Sequence, residues 1–281
     1  MATDAAHPNA RLQIPADVIA GRRLYGNDFT GQQLADWVEA ESGGYFELAS
    51  TEFADTLAQA GHEYSALNWS DGAPLRGKSF PVVLVLGCAD GSDVLALGVD
   101  IGRVIAIEPG REWWTDRLGT VPAEFRMPTV DGTIDLPGAS VDLVVAFGVL
   151  HHIANVEFVL SELGRVLKPG GFLALREPIA SMGDFSGPRR GLTRHERGIP
   201  VVLLRQFVAS AGLRITRQTY RMTPGLPELF YRLGRRSYTY GWLVKADQLI
   251  SRVLAFNDRY WRDRTWKKLA PRSVSITARK G

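Results

Sequence analysis

One cysteine, Cys88, in 281 residues excludes an intramolecular disulfide and any cysteine-based metal cluster. No apolar run approaches the roughly 20 residues needed to cross a bilayer. Met1 to Pro15 has no hydrophobic signal core, so export is not expected. These absences point to a reducing, cytoplasmic setting. Internal repeats and low-complexity tracts are missing as well. What is there is ordinary globular material: 45% hydrophobic residues supply a core, and the length suits one large domain, or one with additions.

Negative charge is scarce in the last third only. Residues 1–185 hold 12 Lys/Arg and 25 Asp/Glu, a net of −13, whereas residues 186–281 hold 21 Lys/Arg and 5 Asp/Glu, a net of +16. A basic third calls for an anionic partner: a phosphate-bearing substrate, an acidic membrane face or nucleic acid. The alternative is that acidic and basic parts face each other within a monomer or dimer.

Phe80 to Gly91 reads as a buried strand running into a glycine turn. Val82 to Leu86 is an unbroken apolar run of strand length, as a central parallel strand covered on both faces requires. Gly87 and Gly91 permit a tight turn and a close backbone approach to a ligand. A second run, Val104-Ile105-Ala106-Ile107, ends in Glu108, an acid placed to grip ribose hydroxyls. Together they imply the nucleoside half of a cofactor. The dinucleotide pattern G-x-G-x-x-G is not met, because Ala89 holds the middle place and Ser92 the third. G-x-[GA]-x-G fits instead.

With that turn the chain resembles class I S-adenosylmethionine-dependent methyltransferases of the type 11, UbiE-like group. Ser140 to His152 resembles the family's fourth strand and following loop, and Arg165 to Leu175 its helix end, turn and fifth strand. Leu136-Pro137 matches as well. The likeness runs in register over about residues 80–178. It implies S-adenosyl-L-methionine as cofactor, held by Gly87, Ala89, Asp90, Gly91 and Glu108, with Thr133 or Ile134 beside the adenine and Phe147 and Gly148 at the fourth strand's end. Two departures stand out: Val85 occupies the place of an acid that orients the methionine amino group, and Ala89 replaces a glycine. Asp90 either supplies the missing charge or simply forms the turn.

The expected fold is α/β, a Rossmann-like, doubly wound, mostly parallel seven-stranded sheet with an N-terminal helical cap and a helical insert before the last strand. Residues 1–79 form the arm and cap, 80–223 the cofactor-binding core, 224–271 a basic, aromatic helical insert and 272–281 the last core strand. Strands are expected near 82–86, 104–107, 124–127, 142–147, 172–177, 214–221 and 273–279. In the cap, Phe29 to Glu41 reads as a helix that Thr30 caps and Gly43-Gly44 stops, followed by a second over 51–59. Trp37, Phe46, Phe53 and Trp69 are its expected packing anchors. In the insert, Leu243, Leu249, Ile250, Val253 and Leu254 predict an amphipathic helix.

Methyl transfer asks for an acceptor held in line behind the methyl group, and an alcohol acceptor must also lose a proton. His151, His152 and His195 are the candidate bases; the His-His pair is otherwise a loop-shaping element. Tyr25, Glu177 and Arg194 are candidate acceptor contacts. The loop after Glu177 reads either as a lid whose arginines bind phosphate or as a solvated basic loop. No spacing of acids and histidines is diagnostic of a metal. The cap around Tyr25 and the 176–200 loop loosely resemble relatives associated with polysaccharide assembly. The resulting expectation is O-methylation of a small polar acceptor, such as a glycan or secondary metabolite that carries sugar or phosphate, with a possible peripheral membrane contact through the insert. A catalytically weak scaffold that keeps the fold is the rival. A nucleic-acid methyltransferase is the third reading, disfavoured because no RNA-binding module or target-base motif accompanies the basic tail.

Overall fold

The computed structural model describes residues 11–49 and 64–281. Its centre is one sheet of eight strands: β1 (Ser79–Leu86), β2 (Asp100–Ile107), β3 (Arg117–Leu118), β4 (Val121–Arg126), β5 (Val141–Phe147), β6 (Leu167–Pro178), β7 (Leu213–Arg221) and β8 (Ser273–Lys280). Their order is β3-β4-β2-β1-β5-β6-β8-β7. β3 is antiparallel to β4, and β8 is antiparallel to both β6 and β7; the other pairings are parallel. Seven of the eight are the strands the sequence predicts. The extra one, β3, has two residues and carries no readable period.

Eight helices accompany the sheet among the described residues: α1 (Ala16–Ile19), α2 (Gln32–Ala49), α3 (Ser65–Asp71), α4 (Ser92–Leu95), α5 (Val156–Val166), α6 (Val201–Ser210), α7 (Leu226–Arg232) and α8 (Gly241–Leu254). Leu84, Ile105 and Val144 point to one face of the sheet, where the apolar sides of α5 and α6 cover them. Val83, Val85 and Val145 point to the other, beneath Leu75, Val94 and Leu97. The unbroken apolar runs therefore satisfy two cores at once, as parallel strands buried on both faces must. A Cβ on Gly164 would run into the Ala211 carbonyl oxygen, so glycine there lets α5 meet the end of α6.

Cap boundaries differ from expectation. α2 begins two residues after Thr30 and runs through Gly43 and Gly44, which do not stop it. Trp37 is buried as an anchor, whereas Trp69 is half exposed with Arg76 over its ring. The expected helix over 51–59, Phe53 and the side chain of Phe46 lie outside the described residues.

A buried carboxylate ties α3 to the far half of the sheet. Asp71 accepts from Arg176 on β6, Arg221 on β7 and Ser275 on β8, at 3.2, 2.8 and 2.8 Å. The insert leaves after Arg221 and returns at Ser273, which also pairs with Pro178. It therefore rises from the carboxyl edge of the parallel strands. Asp247, fully buried on α8, accepts from the amides of Met222 and Thr223 at 3.0 and 2.6 Å and so fixes how that helix is turned. No described helix is long and apolar enough to cross a membrane.

Candidate active site

At the carboxyl edge of β1, β2 and β5 lies a cavity of about 180 Å³ with mainly apolar walls. Leu86, Gly87 and Ile107 form its floor, Thr133 and Ile134 one side, and Trp37 and Glu41 of α2 its roof, with His152 and Asn155 beside them. Open α/β sheets bind ligands at this edge.

The glycine turn is built for close approach. Gly87 has φ +67, and a Cβ there would come within 2.8 Å of Val149 Cγ2. Ala89 also takes a left-handed φ of +42, a strained choice for a residue with a side chain. Glu108 holds the strained turn in place, one carboxylate oxygen accepting from the Ala89 amide at 2.9 Å and the other from Gly110 at 2.8 Å. Each oxygen keeps lone pairs for a second donor, such as a ribose hydroxyl. Glycine turn, acid and apolar cavity together fit the adenosyl half of S-adenosylmethionine.

Asp90, Gly91, Phe147 and Gly148, also expected at the cofactor, are not among the residues that line the cavity. Asp90 Oδ1 accepts from the amide and hydroxyl of Ser92, the turn-forming role. Gly91 packs against Leu118, and Phe147 sits under the Arg176 guanidinium at 4.5 Å. Gly148 has φ +64, and a Cβ there would meet His151 Cε1 at 3.9 Å. Cys88 is buried, and burial first of all pushes its thiol up to about 12, so it packs and does not react.

Glu177 is corrected most clearly. Its side chain is fully buried at the end of β6, where it accepts from the amides of Val149, Leu150 and His151 and from His151 Nδ1 at 2.8 Å. It shapes the loop leaving β5 and has no face toward an acceptor. His151 is held between Glu177 and Glu196, whose Oε1 lies 3.5 Å from Nε2. Burial opposes its charge, but the two carboxylates win and raise it to about 9. Glu196 feels the same contest and falls to about 2.

His152 lines the cavity. Its Nδ1 is 2.8 Å from Glu41 Oε2, which also accepts from the Thr193 hydroxyl at 2.5 Å. Burial would raise Glu41, yet these bonds and the His195 amide keep it below its ordinary value. His195 is elsewhere: its ring stacks on Trp37 at 4.4 Å, and burial first of all drives it down to about 4. It does not line the cavity. His151, His152 and Glu196 offer ligand atoms within 4.8 Å of one another; a divalent ion there would have to displace the Nε2 proton that His151 turns toward Glu196.

Two of the four arginines in the 179–200 loop are taken up by the protein's own carbonyls. Arg197 is fully buried and donates to the carbonyls of Tyr25, His151 and Ala154, each at 3.0 Å. Burial lowers it to about 10, still charged near neutrality. Arg189 donates to carbonyls within its own loop. Tyr25 packs on Phe29, Trp37 and Phe185 rather than on the cavity, and burial raises its hydroxyl against the nearby charge of Arg194. Sequence reasoning missed Glu41, Thr193, Glu196 and Asn155. Glu41 did leave a signal: an acid on the same helical face as Leu34, Trp37 and Val38.

The family described as a methyltransferase domain matches residues 84–175. A Streptomyces fradiae protein of unknown role encoded in a transposon is 34% identical over 151 residues, spanning 49% of this chain and 42% of its own length. An uncharacterised Mycobacterium tuberculosis methyltransferase is 34% identical over 96 residues, 33% of this chain and 48% of that one. The chain thus spans less than half the length of these relatives. In fold it is similar to a chain from the complex of the Haloferax volcanii Trm112 methyltransferase activator with a methyltransferase, at TM-score 0.53 and 16% identity, covering 83% and 96% of the two chains. A Listeria monocytogenes S-adenosylmethionine-dependent methyltransferase follows at 0.50 and 15%, covering 76% and 98%. Residues 84–175 thus match a methyltransferase domain, the sheet around them has the fold of solved S-adenosylmethionine-dependent methyltransferases, and S-adenosylmethionine is the cofactor these likenesses imply.

Proposed function

We propose that the chain methylates a hydroxyl oxygen of a small polar acceptor, a glycan or secondary metabolite, with His152 as the general base. The observation that carries this reading is the His152–Glu41 pair in the wall of the cavity. S-adenosylmethionine supplies, when bound, an electrophilic methyl group on a positively charged sulfur. Everything else falls to the chain's own residues. Glu41 takes the Nδ1 hydrogen bond, which fixes the tautomer and leaves Nε2 with a lone pair to receive the acceptor's proton. Trp37 and Ile134 exclude water around the reacting atoms. Glu177 and Arg197 hold the loop that presents His152. A Rhizobium etli ubiquinone biosynthesis O-methyltransferase, 25% identical over 166 residues, supports oxygen as the methylated atom.

The test is transfer of labelled methyl to a panel of polar alcohols, with cofactor affinity measured separately by calorimetry. His152→Gln and Glu41→Gln should each lower kcat by about 10²–10⁴-fold, the usual worth of a positioned base. Cofactor affinity should stay within about twofold, since each change keeps the cavity's size and polarity. Full turnover in His152→Gln would remove the base assignment. Tight cofactor binding without turnover on any acceptor would favour the scaffold reading.

A further inference from the structure

A surface helix on a globular protein normally turns its apolar stripe inward and its polar side to water. α8 does the reverse. The side turned inward carries Asp247 and Ser251, both fully buried, along with Leu243 and Val244. The side turned outward carries Trp242, Leu249 and Val253, at 63%, 66% and 64% exposure, and the 3-10 turn that follows, Ala255–Asn257, adds Phe256 at 86%. The first three follow one another at spacings of seven and four residues, so they form a single stripe about 16 Å long at 1.5 Å per residue, which Phe256 extends. The sequence predicts an amphipathic helix here; of the five apolar positions that predict it, only Leu243 is buried.

The orientation is not free to change. Asp247 accepts from two backbone amides beyond β7, and Thr223 and Ser251 join hydroxyls at 2.9 Å. Rolling the helix to hide the stripe would strand a buried carboxylate and both amides. The stripe is therefore permanently presented. It continues onto α7 through Phe230, whose ring meets Trp242 edge to face at 6.2 Å, and through exposed Leu229 and Leu233. Lys245 and Arg252 flank it on α8, and Arg232 and Arg235 flank it on and after α7, all exposed. The whole insert, 224–271, carries 10 Lys/Arg against 4 Asp/Glu.

We propose that this outward face of α7 and α8 docks on an anionic lipid bilayer. Trp, Phe, Leu and Val on one side with Lys and Arg at the margins is the composition of a helix lying in a headgroup layer. Negative headgroups complement the flanking cations, each worth having near the surface. A second copy of the chain laid on this face would instead bring the same cations together. The insert rises from the carboxyl edge of the sheet, and its Tyr260 carbonyl accepts from Ser181 at 2.9 Å in the loop beside the active site. Docking keeps that edge near the headgroups, where a membrane-borne acceptor would be met.

The experiment is co-sedimentation of the full chain with vesicles of equal parts phosphatidylcholine and phosphatidylglycerol, and with phosphatidylcholine alone. It reads binding without catalysis, so it stands or falls apart from the proposed reaction. The chain should bind the anionic vesicles, at least about tenfold better than the neutral ones, and release as salt rises. Leu249→Ser/Val253→Ser/Phe256→Ser should abolish binding to both. Lys245→Glu/Arg252→Glu should remove the preference for negative lipid. All five positions are exposed, so circular dichroism and cofactor affinity should match the parent. Absence of vesicle binding, or unchanged binding in the triple variant, would overturn the proposal. So would a dimer in light scattering that the triple variant dissolves, with no vesicle association, since the stripe would then join two copies.

Discussion

At the scale of single residues, the site is organised by carboxylates that brace its backbone turns and its histidines. Glu108 braces the glycine turn, Glu177 gathers three amides, Glu41 orients His152, and Glu196 faces His151. Two of these share one proton-bearing imidazole, and that makes stability depend on pH. His151 is raised from an ordinary 6.5 to about 9, so its contribution is complete below about 6.5 and is lost as pH climbs through about 9. The size is on the order of 3 kcal/mol at 1.36 kcal/mol per unit. Glu196, lowered to about 2, describes the same contact from the acid side, so the two must not be added. Denaturant unfolding across this range should show a falling stability limb in the parent. In His151→Gln that limb should flatten; an equally steep decline would move the titration to another group. None of this was legible from sequence, because the pair His151-His152 reads the same whether it faces a cavity or a buried acid. Which of the two lines the cavity is decided by Glu41, more than a hundred residues earlier.

Elements were far easier to read than their companions in space. The central strands announced themselves because parallel strands buried on both faces must be apolar throughout, as Val83 to Leu86 and Leu143 to Ala146 are. The helix α2 was read too short, since Gly43-Gly44 counts as a stop locally while the helix continues through it. The insert helix was found but its outward face was not foreseen, because periodicity gives a stripe and not its direction. α3 depends on long-range polar contacts that no pattern reveals. Its Asp71 joins three strands from within the interior, where Arg221 has no exposure at all. Asp71→Ala should therefore destabilise by about 3–5 kcal/mol, the cost of leaving a buried charge uncompensated. Urea unfolding measures it. A loss below about 1 kcal/mol, the usual worth of an exposed pair, would mean that water reaches Arg221.

Across the whole molecule, the cap, the loop after β5 and the 179–200 loop converge on the single guanidinium of Arg197. It donates to Tyr25, His151 and Ala154, stands 4.9 Å from the Trp37 ring, and leaves none of its surface to solvent. Arg197→Met keeps the bulk and removes the donors, stranding carbonyls at about 1–3 kcal/mol apiece. Amide hydrogen exchange should then quicken together in residues 24–42, 149–155 and 185–199, with β8 unchanged. Loosening confined to 185–199 would show that the three segments are held independently. The separation of charge along the chain has a local counterpart here: acidic Glu41 of the N-terminal part meets the 186–281 part through Thr193 and the His195 amide.

The same convergence sets an order on how the chain can come together. Glu41 waits for partners 152 and 154 positions away, and Arg197 reaches back 172 positions to Tyr25. Contacts that distant in sequence close late, after the chain has surrendered the entropy of a long loop. A nascent chain emerging from the ribosome can assemble β1, β2, β4 and β5 well before residue 197 exists. Its roof cannot be seated until then. During synthesis the floor that receives the adenosyl group thus precedes the wall that carries its base, and the ability to bind should arise before the ability to react.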